Sequence, residues 1–208
     1  GQRWGNPLYR WRAHAKEGYA WWIERIRRTF ELVDIVRIDH FRGFAAHWET
    51  QASEPTAIHG RWVKGPGKAL FNAIGKALGP LPIIAEDLGV ITPDVVQLRK
   101  ALGLPGMRVL QFGWGEIDGA MGDPHHLPHA YEPDTVVYPG THDNNTTKGW
   151  FRTELDASSR ERLSQYFGMR ITSANVTRMM IGLAYGSVAQ MAMIPMQDIL
   201  NLNERSRL

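Results

Sequence analysis

Apolar and aromatic side chains at Tyr19, Trp22, Ile23, Ile26 and Phe30 recur at the spacing of one helix face and predict a helix over 16–31. At 34–39 the period breaks, and Asp-Ile-Val-Arg-Ile-Asp reads as a short strand. The same alternation continues along the chain. Residues 66–78 start among loop glycines, become a helix and stop at Gly79-Pro80. A second strand occupies 81–86. Thr92-Pro93-Asp94 reads as a helix start, with Thr92 as the cap, proline at the first helical position and an acid in the first turn. That helix ends near Gly103. Residues 106–112 form a third strand, 134–138 a fourth and 187–194 a fifth, with helices over 158–166 and 173–185 between the last two. Apolar strands alternating with helices predict an α/β fold with parallel pairing and right-handed crossovers.

Composition narrows the function classes. Hydrophobic residues make up 43% and charged residues 22% of the 208, which excludes a disordered chain, a collagen-like repeat and a coiled coil. There is no cysteine, so disulfides, a thiol nucleophile and thiolate-bound zinc are excluded. The most apolar stretch, 179–195, is interrupted by Tyr185, Ser187 and Gln190, and no membrane partner is expected. The net charge is +3, but its densest basic cluster, Arg25 to Arg28, lies on the polar face of the first helix. A solvated helix face accounts for it, and no nucleic acid partner is expected. The eight tryptophans are a stronger signal, because aromatic rings stack on the apolar faces of sugars as readily as they fill cores. The chain opens on Gly1 rather than methionine and reads as a piece of a longer protein, with a cytoplasmic location expected.

Three strands lead into acids: Asp39 ends the first, Glu86-Asp87 ends the second, and Asp143 follows the fourth within Thr141-His142-Asp143-Asn144. In a (β/α)8 barrel the chemistry gathers at the C-terminal ends of strands. Each acid also has a structural role open to it: Asp39 as a turn cap, Asp87 as the partner of an arginine, Asp143 as the start of a loop with Asn144. Paired carboxylates suit glycosidic bond cleavage, in which one attacks the anomeric carbon and the other protonates the departing oxygen. Arg37 lies two residues before Asp39, hence on the same strand face, where it would keep Asp39 ionised. Glu86, beyond Ile83, Ile84 and Ala85, is expected to hold a proton through burial and the nearby charges of Asp87 and Asp39.

The segments Arg37-Ile-Asp-His-Phe-Arg-Gly43, Ile84-Ala-Glu-Asp-Leu-Gly89 and Thr141-His-Asp-Asn144 resemble the catalytic segments of the amylomaltases, the 4-α-glucanotransferases of glycoside hydrolase family 77. Gly1-Gln-Arg-Trp-Gly-Asn-Pro7, Gly60-Arg-Trp-Val-Lys-Gly-Pro-Gly67 and Ile194-Pro-Met-Gln-Asp-Ile-Leu200 resemble further family segments, in the same order, so the resemblance spans essentially the whole chain. It implies a partial (β/α)8 TIM barrel holding about strands four to eight, with 1–208 the C-terminal portion of a single catalytic domain truncated at both ends. It implies Asp39 as nucleophile, Glu86 as general acid/base and Asp143 as the acid that stabilises the transition state. Arg37 would orient Asp39, His142 would bond a sugar hydroxyl, and Trp4 would stack on glucan near the acceptor. Gln2, Asn6, Trp48 and Trp62 would line the groove, although packing alone is an equal account of them. The implied partners are maltooligosaccharides and other α-1,4-glucans, with glucose as an acceptor, and no cofactor or metal.

Two rival readings stay open: an α-amylase-clan hydrolase with the same triad, and an inactive glucan-binding fragment. The loop Asp123-Pro-His125-His126-Leu-Pro-His129 has the composition of a zinc site, but its resemblance to a family loop carries no metal role. Gly65-Pro-Gly67-Lys68 lacks the spacing of a phosphate loop. Three Asn-x-Thr sequons at Asn144, Asn145 and Asn175 are of a kind that arises by chance.

Overall fold

The computed structural model describes residues 5–115 and 122–207. The chain is α/β and divides into two compact units, Gly1–Gly106 and Met107–Leu208.

In the first unit, α1 (Trp11–Lys16) and α2 (Ala20–Phe30) replace the single helix expected over 16–31. The break is a left-handed pair, Gly18 at φ +60° and Tyr19 at φ +59°. Tyr19 is nevertheless buried, so the apolar period runs on through a backbone that does not. Strand β1 (Val36–Ile38) is followed by a 3-10 turn at Phe41–Phe44 and by a hairpin of β2 (Ala46–Glu49) and β3 (Arg61–Lys64). Helix α3 (Lys68–Leu78), strand β4 (Ile83–Ala85) and helix α4 (Pro93–Ala101) complete the unit. Pro93 opens α4 as the sequence predicts, but the Thr92 side chain makes no cap bond. Its hydroxyl bonds the Asp94 carboxylate instead and holds that group below the usual carboxylate range.

β1 and β4 run parallel in the register Val36↔Ile83, Arg37↔Ile84, Ile38↔Ala85. β2 and β3 are antiparallel, a pairing the expected parallel set did not contain. The core gathers Trp22, Ile26, Phe41, Phe44, Leu70, Phe71, Ile74 and Ile83. Burying one such side chain fully contributes about 1.5–3 kcal/mol. Phe41, two residues past Asp39, is fully buried and fastens the turn after β1 to this core.

In the second unit the sheet order is β5 (Gly106–Val109), β6 (Thr135–Tyr138), β7 (Met191–Ala192), with β6 and β7 parallel. The helices are α5 (Thr147–Thr153), α6 (Ala157–Phe167), α7 (Val176–Tyr185) and α8 (Met196–Ile199). Leu110, Trp114, Val137, Trp150, Phe151, Leu163, Val176 and Met180 form its core. Asp156 caps α6 by accepting the Ser159 N–H at 2.7 Å. The buried Asp198 of α8 accepts from the Thr147 N–H at 2.8 Å and the Thr147 hydroxyl at 2.7 Å, pinning α8 to the start of α5.

Candidate active site

The parallel ladder of β1 and β4 continues past both strand ends. Glu86 donates its N–H to the Ile38 carbonyl at 2.9 Å, and Phe41 donates to the Glu86 carbonyl at 3.1 Å. Asp39 and Glu86 therefore follow directly on the last paired residues, Ile38 and Ala85, at the C-terminal ends of neighbouring strands. Arg37 Nη2 lies 2.8 Å from Asp39 Oδ1, as their shared face requires. The Asp39 side chain is 75% exposed and that of Arg37 27% exposed, so the pair adds little stability; its effect is to orient a carboxylate presented to solvent.

Glu86 is half-buried and fixed at both oxygens. Oε2 accepts the His40 N–H at 2.6 Å and Oε1 accepts the Leu88 N–H at 2.7 Å. His40 reaches it from a left-handed conformation, φ +48°. Gly43 suits this turn, because a Cβ there would stand 3.2 Å from His40 Nδ1. The residue after the first acid thus holds the second through its backbone.

Asp87, next to Glu86 in the chain, has a partner of its own. Asp87 is buried, and its Oδ2 lies 3.2 Å from Arg99 Nε, with both side chains 3% exposed. Arg99 Nη1 also donates to the Leu104 carbonyl at 2.9 Å. A Cβ at position 106 would come within 2.5 Å of Asp87 Oδ2, which explains Gly106. The charge of Asp87 is matched by an arginine.

In the second unit the chain leaves β6 through Pro139 and Gly140. The Pro139 carbonyl accepts the Gln111 N–H at 3.1 Å, and a Cβ on Gly140 would fall 2.5 Å from Gln111 Nε2. Asn144 Oδ1 then accepts from both the N–H and the hydroxyl of Thr141, each at 2.9 Å. This closes a tight turn that displays His142 and Asp143. His142 Nε2 and Asp143 Oδ2 are 3.4 Å apart, with side chains 64% and 77% exposed. Arg207 Nη2 donates to the Asp143 carbonyl at 2.9 Å.

Among the remaining sequence candidates, Gln2 and Trp4 lie outside the described residues. Asn6 is exposed ahead of α1. Trp48 and Trp62 are register partners across the β2–β3 hairpin, their ring centroids 5.5 Å apart at 69°. Trp48 Nε1 donates to the Ala57 carbonyl at 2.9 Å, and Gly60 leaves room for its ring. Trp62 remains 55% exposed, with the Arg42 guanidinium 4.5 Å from its centroid. It lines a cavity of ≈ 510 Å³ between the hairpin and helices α3 and α4, whose walls include none of Arg37, Asp39 and Glu86.

The histidines of the 123–129 loop serve separate partners. His125 Nδ1 is 2.9 Å from Asp123 Oδ1, and His129 Nδ1 is 3.1 Å from Tyr166 Oη. His126 Nδ1 accepts the Val109 N–H at 3.0 Å, which occupies the lone pair that a metal would need. Burial, and then the charge of Arg108, push His126 down to about 4.

The model of the family described as 4-alpha-glucanotransferase matches residues 1–208. The chain is 49% identical over 208 residues to the 4-alpha-glucanotransferase of Streptococcus pneumoniae serotype 4, covering all of this chain and 40% of that protein. It is 50% identical over 208 residues to the chloroplastic/amyloplastic 4-alpha-glucanotransferase of Arabidopsis thaliana, covering 100% of this chain and 35% of that protein. The solved amylomaltase from Streptococcus agalactiae in complex with acarbose superposes with a TM-score of 0.90 at 38% identity, over 100% of this chain and 41% of that one. The chain thus spans about two-fifths of the length of such relatives. With the whole of its length matched, it belongs to glycoside hydrolase family 77, the 4-alpha-glucanotransferases.

Proposed function

We propose that the protein carrying this chain is a retaining 4-α-glucanotransferase and that residues 1–208 are the C-terminal portion of its single catalytic (β/α)8 barrel, about strands four to eight. The observation that carries the reading is the pair Asp39 and Glu86 at the ends of adjacent parallel strands, the first oriented by Arg37 and the second fixed by two backbone N–H groups.

The chemistry follows in two balanced steps. Asp39 attacks the anomeric carbon of an α-1,4-linked donor as the bond to the bridging oxygen breaks, and Glu86 gives that oxygen its proton. A glucosyl ester on Asp39 and a shortened glucan result. The 4-hydroxyl of an acceptor then attacks the same carbon, Glu86 takes its proton, and the ester bond to Asp39 breaks. Fixing Glu86 at both oxygens limits its rotation, so one carboxyl can serve as acid and then as base. Asp143, with His142 beside it, would hold donor hydroxyls and balance the positive charge that develops on the sugar ring.

The substrates are maltooligosaccharides and longer α-1,4-glucans, with glucose as the smallest acceptor. The acarbose bound by the S. agalactiae amylomaltase supports this class. No helix among the described residues is long and apolar enough to cross a membrane, and we propose a cytoplasmic site of action. Trp4 is proposed to stack on glucan near the acceptor, and Gln2 and Asn6 to line the groove. The test is product length from maltotriose with the full-length protein. Transfer yields longer maltooligosaccharides together with shorter products, whereas products shorter than maltotriose alone would refute it in favour of hydrolysis. Asp39→Asn and Glu86→Gln should each abolish transfer.

A further inference from the structure

We propose that the cavity between the β2–β3 hairpin and helices α3 and α4 is a second binding site for α-1,4-glucan, separate from Asp39 and Glu86. The choice of ligand rests on the glucan reading above; the site itself rests on its own geometry. At ≈ 510 Å³ the cavity has the size of a small-molecule site. Its apolar lining includes Ala45, Ala46 and Leu98.

The platform is Trp62. Its backbone is fixed in β3, its edge meets Trp48, and Arg42 lies over the ring, yet more than half of the residue stays exposed. An indole set in a strand and held by two neighbours presents a flat apolar face at little ordering cost. That face suits the C–H side of a glucose ring. The polar groups converge from three elements. Lys64 lies two residues beyond Trp62 on β3, Lys68 opens α3, and Asp94 and Gln97 stand one turn apart on α4. Asp94 is kept ionised by the Thr92 hydroxyl, which leaves a strong acceptor at the rim. Two ammoniums, one carboxylate and one amide offer both donors and acceptors. That mixture fits a neutral ligand rich in hydroxyls better than a phosphate, which the Asp94 carboxylate would repel.

The test measures binding by titration calorimetry on the full-length protein carrying Glu86→Gln, which prevents turnover. Two probes are used: β-cyclodextrin, a ring of α-1,4-linked glucose without chain ends, and acarbose, which reports on the catalytic groove. Ala101→Trp fills the cavity from the exposed end of α4 without removing a core side chain. It should weaken β-cyclodextrin by about tenfold or more, equivalent to about 1.4 kcal/mol, and leave acarbose within about twofold. Trp62→Ala should act in the same direction on β-cyclodextrin. Unchanged β-cyclodextrin affinity in Ala101→Trp would overturn the proposal, as would a parallel loss of acarbose. Inorganic phosphate binding that Ala101→Trp removes, in place of the cyclodextrin, would also overturn it. Cyclodextrin binding that depends on Ala101 supports the cavity even where acarbose fails to bind, a result that counts against the catalytic reading alone.

Discussion

Replacing Arg99 with leucine should be among the most destabilising single changes in the first unit. Arg99 and Asp87 are each 3% exposed at the side chain, so solvent screens their 3.2 Å contact very little. Arg99→Leu takes this guanidinium from a buried carboxylate, and removing one partner of a buried pair costs about 3–5 kcal/mol. Against the total stability of a domain, about 5–15 kcal/mol, that is a large share. The double variant Asp87→Leu/Arg99→Leu removes both charges and should recover most of the loss, because a well-packed apolar pair replaces a buried ion pair at little net cost. The assay is urea unfolding followed by tryptophan fluorescence, with the slope of the transition compared among the proteins. A coupling energy above about 2 kcal/mol is the expected result of the cycle. A loss below about 1 kcal/mol in Arg99→Leu, or a double variant as unstable as the sum of the singles, would refute the reasoning. Because Asp87 adjoins Glu86, the single variants should also lose transfer in proportion to the loosening of the end of β4.

His126 is neutral in the fold, down at about 4 against an unfolded value of about 6.5, so its contribution is complete above about pH 6.5 and is lost as the pH falls toward 4. The loss amounts to about 3 kcal/mol, and unfolding curves of His126→Gln should lack that dependence. His40 holds Glu86 from a left-handed backbone, so His40→Gly should retain transfer, whereas His40→Val, which strains that conformation by about 1–2 kcal/mol, should lower kcat; equal kcat values for the two would sink the idea. Thr147→Val leaves one oxygen of the buried Asp198 without its hydroxyl donor and should cost about 1–3 kcal/mol in thermal or urea unfolding.

The acids were legible in the sequence because a carboxylate at the end of an apolar run is a local conflict, and such conflicts mark functional or paired groups. The strands were legible for the same reason, but not their lengths. The strand expected over 187–194 shrinks to Met191–Ala192, although backbone bonds from Gln190 to Thr135 and from Met193 to Val137 flank it, and Pro195 caps α8 soon after. The hairpin escaped notice because Ala46–Glu49 and Arg61–Lys64 are short, mixed in polarity and separated by a long loop. Only Gly60 and Gly65, which admit a ring and a carbonyl where a Cβ would collide, hint at it.

The dipeptide Glu86-Asp87 shows where a one-dimensional reading stops. In sequence the two acids look equivalent, and mutual repulsion between them is the natural inference. Just past the end of β4 their side chains take different partners. One finds Arg99, a dozen residues on and in a different element; the other finds the backbone N–H groups of His40 and Leu88. Neither partner leaves a side-chain pattern. A backbone N–H is present at every residue but proline, so what selects His40 is its left-handed conformation, next to the buried Phe41. The proposed nucleophile and acid are therefore coupled through the chain between them as well as through the sheet. A change that loosens the Phe41 anchor should move Glu86 before it unfolds the unit, and Phe41→Leu, which conserves apolar character while shrinking the anchor, should lower kcat more than it lowers the urea midpoint. Stability and rate falling together in that variant would show that the sheet alone positions the acid.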